Sequence, residues 1–396
     1  MLRFKVFGCG AAGNKAVADL IESGYNQDKC VFLNSTTRDI PEKYKNDAVL
    51  FGKGMGGCGK ERKLGKKMLI EDLSTNSINL DKFIEPDDNA VVLVGSTEGG
   101  SGSASMPILA KYFNEVCGKN VICVLFFGFQ QDTRGLQNSI ELCQELSDEY
   151  TVVGISNAKF LPESNGNIFK AEKAANQYFI KLMKIISGFT IYSGTQVIDD
   201  TDLFKVVTTP GYLMADSVVF ESVPKNLESF NTVIKSMMDE NKFIDPPKNA
   251  GMKREALIFN MSDDEDNIDY TVKIMDDLYG VPYEKFTNLS VDGDHDNSFS
   301  YIISGMKLPS TELSNLYKQY IESSKRVDKT DDEFSEVVAA MRGNADDSQF
   351  DVFGNNKKST TSKKNFFASF GVETEEPAPK SSKKVKVDTI ETKGEY

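Results

Sequence analysis

A run of glycines and hydroxyls, EGGSGSASMP (Glu98 to Pro107), follows the apolar segment NAVVLVGST and precedes the helical pattern ASMPILAKYFNEV. A buried strand that breaks into glycines and restarts as a helix aims backbone N–H groups and the positive end of a helix dipole at one point, which suits a phosphate. Gly99, Gly100 and Gly102 let the backbone approach closely, and Ser101, Ser103 and Ser105 add hydroxyl donors. A plain strand-to-helix turn needs the same small residues, so the reading depends on what else converges there.

Two more glycine-rich turns do. Gly8, Gly10 and Gly13 spell G-x-G-x-x-G after the strand-like RFKVF, and Gly54 to Lys60 spell G-x-x-x-x-G-K. Glu61 stands where a Walker loop needs Ser or Thr for Mg²⁺, so the second string reads as a flexible loop able to close over a terminal phosphate. The first string also fits a nicotinamide-dependent oxidoreductase, which needs an acid at the end of the second strand. That strand, CVFLN, ends at Asn34, and Asp39 comes five residues late.

A second constellation is acidic. In GTQVIDDTDLFKVV, Asp199, Asp200 and Asp202 cluster at a helix start. Acids there can serve as N-cap and first-turn residues or can polarise a water for attack on a phosphate. The only histidine, His295, leaves no histidine-based zinc site and little scope for a Ser-His-Asp triad. The six cysteines all fall in the first 150 residues without a C-x-x-C pair and read as reduced thiols, so no metal centre is expected.

The surrounding elements must position these groups. Over its 396 residues the chain carries 40% hydrophobic and 27% charged residues and a net charge of −13, which argues against the folded body gripping nucleic acid. No apolar run reaches the roughly 18 residues of a membrane span, and MLRFKVFGCG lacks a signal-peptide layout, so a cytoplasmic protein is expected. Strands alternate with helices to about residue 157, predicting an α/β fold with a parallel doubly wound sheet and loops at its carboxyl ends. KAEKAANQYFIKLMKIISG has apolar positions at helical spacing and predicts a long central helix. Beyond it SVVFESV, EALIFNMS, TVKIMDDLYG, TNLSVDG and SFSYIISGM suggest the strands of a smaller domain. Two amphipathic helices follow, at residues 310–326 and 331–342. Residues 351–396 carry nine Lys against seven Asp plus Glu, a composition that predicts disorder, with the cluster Phe366, Phe367 and Phe370 and a basic patch at Lys380 to Lys386 as docking features.

The set of loops resembles the tubulin/FtsZ superfamily. GGSGSAS stands where the family has GGGTG[ST]G, GCGAAGN resembles the first nucleotide loop, Asn34 and its hydroxylated neighbours the second, and Gly54 to Gly59 the third. The resemblance implies bound GTP or GDP with Mg²⁺, contacted by Gly8, Cys9, Gly10, Ala11, Asn14, Asn34, Gly56, Gly57, Gly99, Gly100, Ser101, Gly102 and Ser103. It further implies Asp132 near the ribose, Asn157 and Asn176 at the guanine, and Glu172 where the family often stacks an aromatic, with Phe169 as a substitute. Asp199 and Asp202 match a synergy loop, with Val197 replacing its asparagine. The implied activity is a GTPase completed by the next subunit's aspartates in a filament. Implied segments are a GTP-binding domain (1–168), a central helix (169–190), a second domain (191–309), C-terminal helices (310–343) and a flexible tail (344–396). The long terminal helices and lysine-bearing tail are most similar to the TubZ partition tubulins of plasmids and phages, which implies a DNA-bound adaptor held by the tail, no direct nucleic-acid contact by the body and no membrane. A division ring or phage positioning is the alternative role.

Overall fold

The computed structural model describes residues 1–53, 56–129, 132–146, 149–194, 196–221, 226–247, 249–261, 266–291, 296–325 and 363–370. The first half follows from fully apolar strands. In β1 (Phe4–Cys9) every residue is buried, and β4 (Ala90–Ser96), β5 (Asn120–Phe127) and β6 (Thr151–Ser156) are nearly as apolar. Strands buried on both faces belong in a parallel sheet covered by helices. With β2 (Cys30–Asn34), β3 (Val49–Leu50) and β7 (Gly211–Val219) they form a parallel run in the order β3-β2-β1-β4-β5-β6-β7. Alternate residues of β1 serve opposite faces: Phe4 and Val6 pack with α1 (Gly10–Glu22) and α5 (Ile168–Ile186), while Phe7 and Cys9 pack towards α2 (Arg62–Ser74), α3 (Gly100–Lys111) and α4 (Thr133–Glu145). Strand order reverses at β1, so α1 and α3 leave on opposite faces of the sheet and their turns frame a crevice at the carboxyl ends of β1 and β4.

The sheet continues without a break. β10 (Ser298–Met306) pairs antiparallel with β7 and with β8 (Arg254–Asn260), and β9 (Glu284–Ser290) closes the edge parallel to β8, giving a sheet of ten strands among the described residues. The junction is narrow: β6 and β7 register at only two pairs, Thr151 with Gly211 and Val152 with Tyr212. The 19-residue α5 lies along it, burying Phe179, Leu182, Met183, Ile185 and Ile186. α6 (Asp200–Val207), α7 (Leu227–Asp239) and α8 (Asp266–Tyr279) accompany the second half.

TVKIMDDLYG is the end of α8, not a strand. Met275 and Tyr279 lie one turn apart on the core side, and Gly280 at φ +88° ends the helix in the left-handed conformation favoured at C-termini. α9 (Ser310–Ser324) packs on α4, burying Leu313, Leu316 and Tyr320. The helix expected at 331–342 and most of the tail lie outside the described residues. Within the tail, α10 (Lys363–Ala368) is a helix seated on the body, where disorder was expected from composition. No described helix is long and apolar enough to cross a membrane.

Candidate functional site

Three turns meet backbone to backbone at the crevice, and only glycine permits it. A Cβ on Gly102 would lie 2.6 Å from the Cys9 carbonyl oxygen, one on Gly10 would lie 2.7 Å from the Gly102 nitrogen, and one on Gly100 would lie 2.7 Å from Lys60 Cα. Gly10 also sits at φ +71°. The contact brings together the starts of α1 and α3, whose capping residues, Cys9 and Gly99, form no side-chain cap and whose first turns carry no acid. The orphan N–H groups of two helices are left for an anion.

A cavity of about 790 Å³ opens over them, within the usual size of ligand sites, roughly 300–1,000 Å³. Its wall takes in Cys9, Gly10, Ala11, Asn34, Gly56, Gly57, Gly99, Gly100, Ser101, Gly102, Asn157 and Asn176 among the residues singled out from sequence. Ser101 Oγ lies 2.6 Å from Ser35 Oγ, tying the turn after β4 to the one after β2. Ser103 and Ser105 turn back on their own helix and donate to the carbonyls of Gly99 and Gly102. Gly8 and Asn14 lie beneath the first turn as a brace, with Asn14 Nδ2 donating to the Leu33 carbonyl at 3.3 Å.

Asp132 stands beside the wall. Its Oδ1 caps α4 by accepting from Gly135 N, and its Oδ2 accepts from Lys60 Nζ at 2.6 Å, a hydrogen bond that lowers its pKa. Two residues with no outward signal in the sequence hold this region. Asn138 Nδ2 donates to the carbonyls of both Lys60 and Glu98 at 3.0 Å, and the buried Arg62 donates to Ser103 O while pairing with Glu141 and Glu145.

At the other end, Asn176 on α5 donates from Nδ2 to Asp19 Oδ2 on α1 at 2.7 Å. A carboxylate beside a carboxamide offers two acceptors in line plus a donor that can turn. Such an edge matches a purine carrying N–H at position 1 and an amino group at position 2. Asp19 was missed from sequence because ADLIESG reads as an ordinary helix flank. Phe169, 81% exposed, also borders the cavity, as does Glu172. Asn34 Nδ2 and Asn157 Oδ1 are buried on the wall without a hydrogen-bond partner, unsatisfied groups that a polar ligand would complete. The donor set therefore fits a nucleotide. For a Mg²⁺ on its phosphates, Glu98, Ser35 and Ser101 are among the lining residues that offer hard oxygens, with Asp39 and Thr36. Among the described residues the grouping of acids with metal-ligand spacing, Glu85, Asp87 and Asp88, lies elsewhere and is bridged by Lys29.

The three aspartates lie apart from the cavity. Asp199 caps α6 by accepting from Asp202 N at 2.8 Å, Asp202 pairs with Lys205, and Asp200 takes the Met1 amine at 2.6 Å. Met1 precedes β1 and the cavity opens after it, so roughly 20 Å, six residues of strand, separates the two within one molecule. Asp199 and Asp200 remain exposed.

All six cysteines are free thiols, and burial pushes those of Cys9, Cys30 and Cys143 up to about 12.

No protein-family model matches the chain. By sequence it is 23% identical over 239 residues to the cell division protein FtsZ 1 of Methanocaldococcus jannaschii, covering 59% of this chain and 64% of that protein's length. By structure it resembles CetZ2 from Haloferax volcanii in a GTPγS-bound protofilament (TM-score 0.67, 16% identity, 82% of this chain and 100% of that one). It also resembles a GTPγS-form protofilament of TubZ from Bacillus thuringiensis serovar israelensis (TM-score 0.67, 15% identity, 86% and 94%). With its order-reversed sheet, glycine-lined crevice and α5 along the junction, the chain has the tubulin/FtsZ fold.

Proposed function

We propose that this protein is a GTP-dependent, filament-forming cytoskeletal GTPase that moves plasmid or phage DNA through an adaptor bound to its tail. The observation that carries the guanine assignment is the Asp19–Asn176 pair at the end of a cavity whose opposite end is made of two uncapped helix starts. Asp19 accepts from the N1–H and 2-amino groups of guanine, a pattern adenine lacks, and Asn176 serves the neighbouring edge. Phe169 closes on the base in place of the aromatic that Glu172 displaces. The backbone N–H groups of the Gly10 and Gly100 turns hold the phosphates, with Lys60 at their rim. Mg²⁺, when bound, neutralises phosphate charge.

Hydrolysis needs a group that orients water, and the cavity wall supplies no histidine for it. Asp199 and Asp200 are exposed and Asp202 is half-buried, all three away from the cavity wall, a placement that suits completing a neighbour's site when subunits stack head to tail. Positioning and electrostatics carry most of phosphoryl transfer, so such a contact gates turnover. The likeness to protofilaments of CetZ2 and TubZ supports stacking of this kind. The partition role rests on the lysine-bearing tail.

Sedimentation with GTP, GDP, ATP or NADH tests the reading in one assay. Polymer that forms with GTP and decays as phosphate is released is expected. Tight NADH binding without assembly would overturn it in favour of an oxidoreductase, and GTP binding without turnover would reduce it to a nucleotide-binding module.

A further inference from the structure

The short helix α10 lies far along the chain from everything it touches. Thirty-seven residues, 326–362, separate it from the end of the described α9 region. Yet Phe366 is fully buried and Phe367 is 4% exposed, and both join the hydrophobic core on the α3 side of the sheet. Phe366 packs edge-on against Tyr112 with ring centroids 5.2 Å apart and against Phe370 at 5.3 Å. Lys111, the last residue of α3, donates from Nζ to Ser369 Oγ at 2.8 Å and lies 5.0 Å from the Phe370 ring centroid. The floor is shaped for this occupant: the chain opens from α3 into a π-helical turn, Tyr112–Val116, an insertion that recurs where a helix must meet a ligand. Tyr112 is held in turn by Asp81, which accepts its hydroxyl at 2.5 Å.

We propose that residues 363–370 are a cis latch: a tail peptide of aromatic and basic character seated in a built groove at the far end of α3, where it withholds its phenylalanines from any other apolar binder. An amphipathic helix laid into an apolar groove is a standard peptide-recognition mode, here made within one chain by Phe366 and Phe367 of the helix and Phe370 just beyond it. The inference is independent of the GTPase reading, since it uses no residue of the cavity. Because the helix is tethered to the body, an added peptide must outcompete an intramolecular ligand.

The test uses the full-length protein and a fluorescent peptide with the sequence STTSKKNFFASFGV, residues 359–372. In the F366A/F367A chain the groove is vacated and the peptide binds, whereas in the wild-type chain its apparent affinity is lower by about 30-fold or more. Equal binding to both chains, or binding to neither, overturns the latch. A second measurement covers misfolding of that variant: amide hydrogen exchange of residues 366–370 in the wild-type chain. Protection that is the same at low and high protein concentration, and that falls about 10-fold in Lys111→Glu, supports a latch in cis. Protection that grows with concentration assigns the groove to the tail of a second copy, and absence of protection removes the docked helix altogether; either overturns the proposal.

Discussion

The side-chain amide of Asn176 donates a 2.7 Å hydrogen bond to Asp19 Oδ2, joining two helices across 157 positions of sequence. Both residues line the same cavity end. If this pair reads guanine, Asp19→Asn removes the acceptor for the 2-amino group. GTP affinity then falls about 10- to 100-fold, the worth of a charged hydrogen bond. Xanthosine triphosphate, which carries a carbonyl at that position, gains on GTP by a similar factor. Nucleotide titration of wild type and variant checks both arms, and an unchanged GTP-to-XTP ratio refutes the assignment.

The Asp199 carboxylate has a local task as the cap of α6, and that task can be separated from any chemistry. Asp199→Asn keeps a capping side chain and loses the charge, while Asp199→Ala loses both, at a further cost of about 1 kcal/mol. GTP binding should persist in each. Turnover in assembled protein should drop about 100-fold or more in each, with a lower melting temperature only for alanine. Asp202→Ala should lose turnover likewise and leave static filaments. Normal phosphate release by the Asp199, Asp202 double variant would sink the trans-acting role.

Two glycines of one turn should behave differently. A Cβ on Gly102 meets the Cys9 carbonyl at 2.6 Å, whereas one on Gly99 meets nothing within 4 Å, and Gly99 has no positive φ. Gly102→Ala should cost about 1–3 kcal/mol and pry apart the turns after β1 and β4, weakening nucleotide binding. Gly99→Ala should cost no more than about 1 kcal/mol. Thermal melts without nucleotide rank them, and equal effects would contradict the close approach.

Glu255 on β8 supplies a pH signature away from the cavity. It is fully buried, neither carboxylate oxygen has a hydrogen-bond partner, and Lys285 Nζ is 3.9 Å away. Burial raises its pKa to about 7, with Lys285 opposing and Asp276 assisting. The unfolded chain ionises near 4.3. The folded state therefore holds the extra proton between about 4.3 and 7, and stability falls as pH rises through that window by a total on the order of 3 kcal/mol. Glu255→Gln should melt like wild type at pH 4 to 5 and above it at pH 8. Parallel curves would show that the carboxyl ionises freely in the fold.

What was legible in the sequence follows local chemistry. The glycine and hydroxyl turn after NAVVLVGST, the alternation of strand and helix, and the acids at the start of α6 are each fixed by neighbours a few residues apart. Asp19, Arg62 and Asn138 gain their meaning from partners 40 to 157 positions away, and nothing near them in sequence marks it. TVKIMDDLYG misled because Thr271, Val272 and Ile274 favour strands, while the spacing of Met275 and Tyr279 and the terminating Gly280 decide for helix. The tail composition spoke for a free chain, and the burial of Phe366 on Tyr112 and of Phe367 beside it outweighs that for one short stretch.

The narrow junction between β6 and β7 has a mechanical consequence. In a row of subunits stacked as proposed, tension would enter at the crevice turns of the first half and leave through the α6 region of the second. A ladder of two registered pairs resists sliding far less than the six or seven pairs that join β1 to β4 or β4 to β5. The load path therefore runs through α5, whose buried Phe179, Leu182, Ile185 and Ile186 clamp both halves. A subunit pulled from its two ends should yield by slippage along that helix before any strand of the first half comes away.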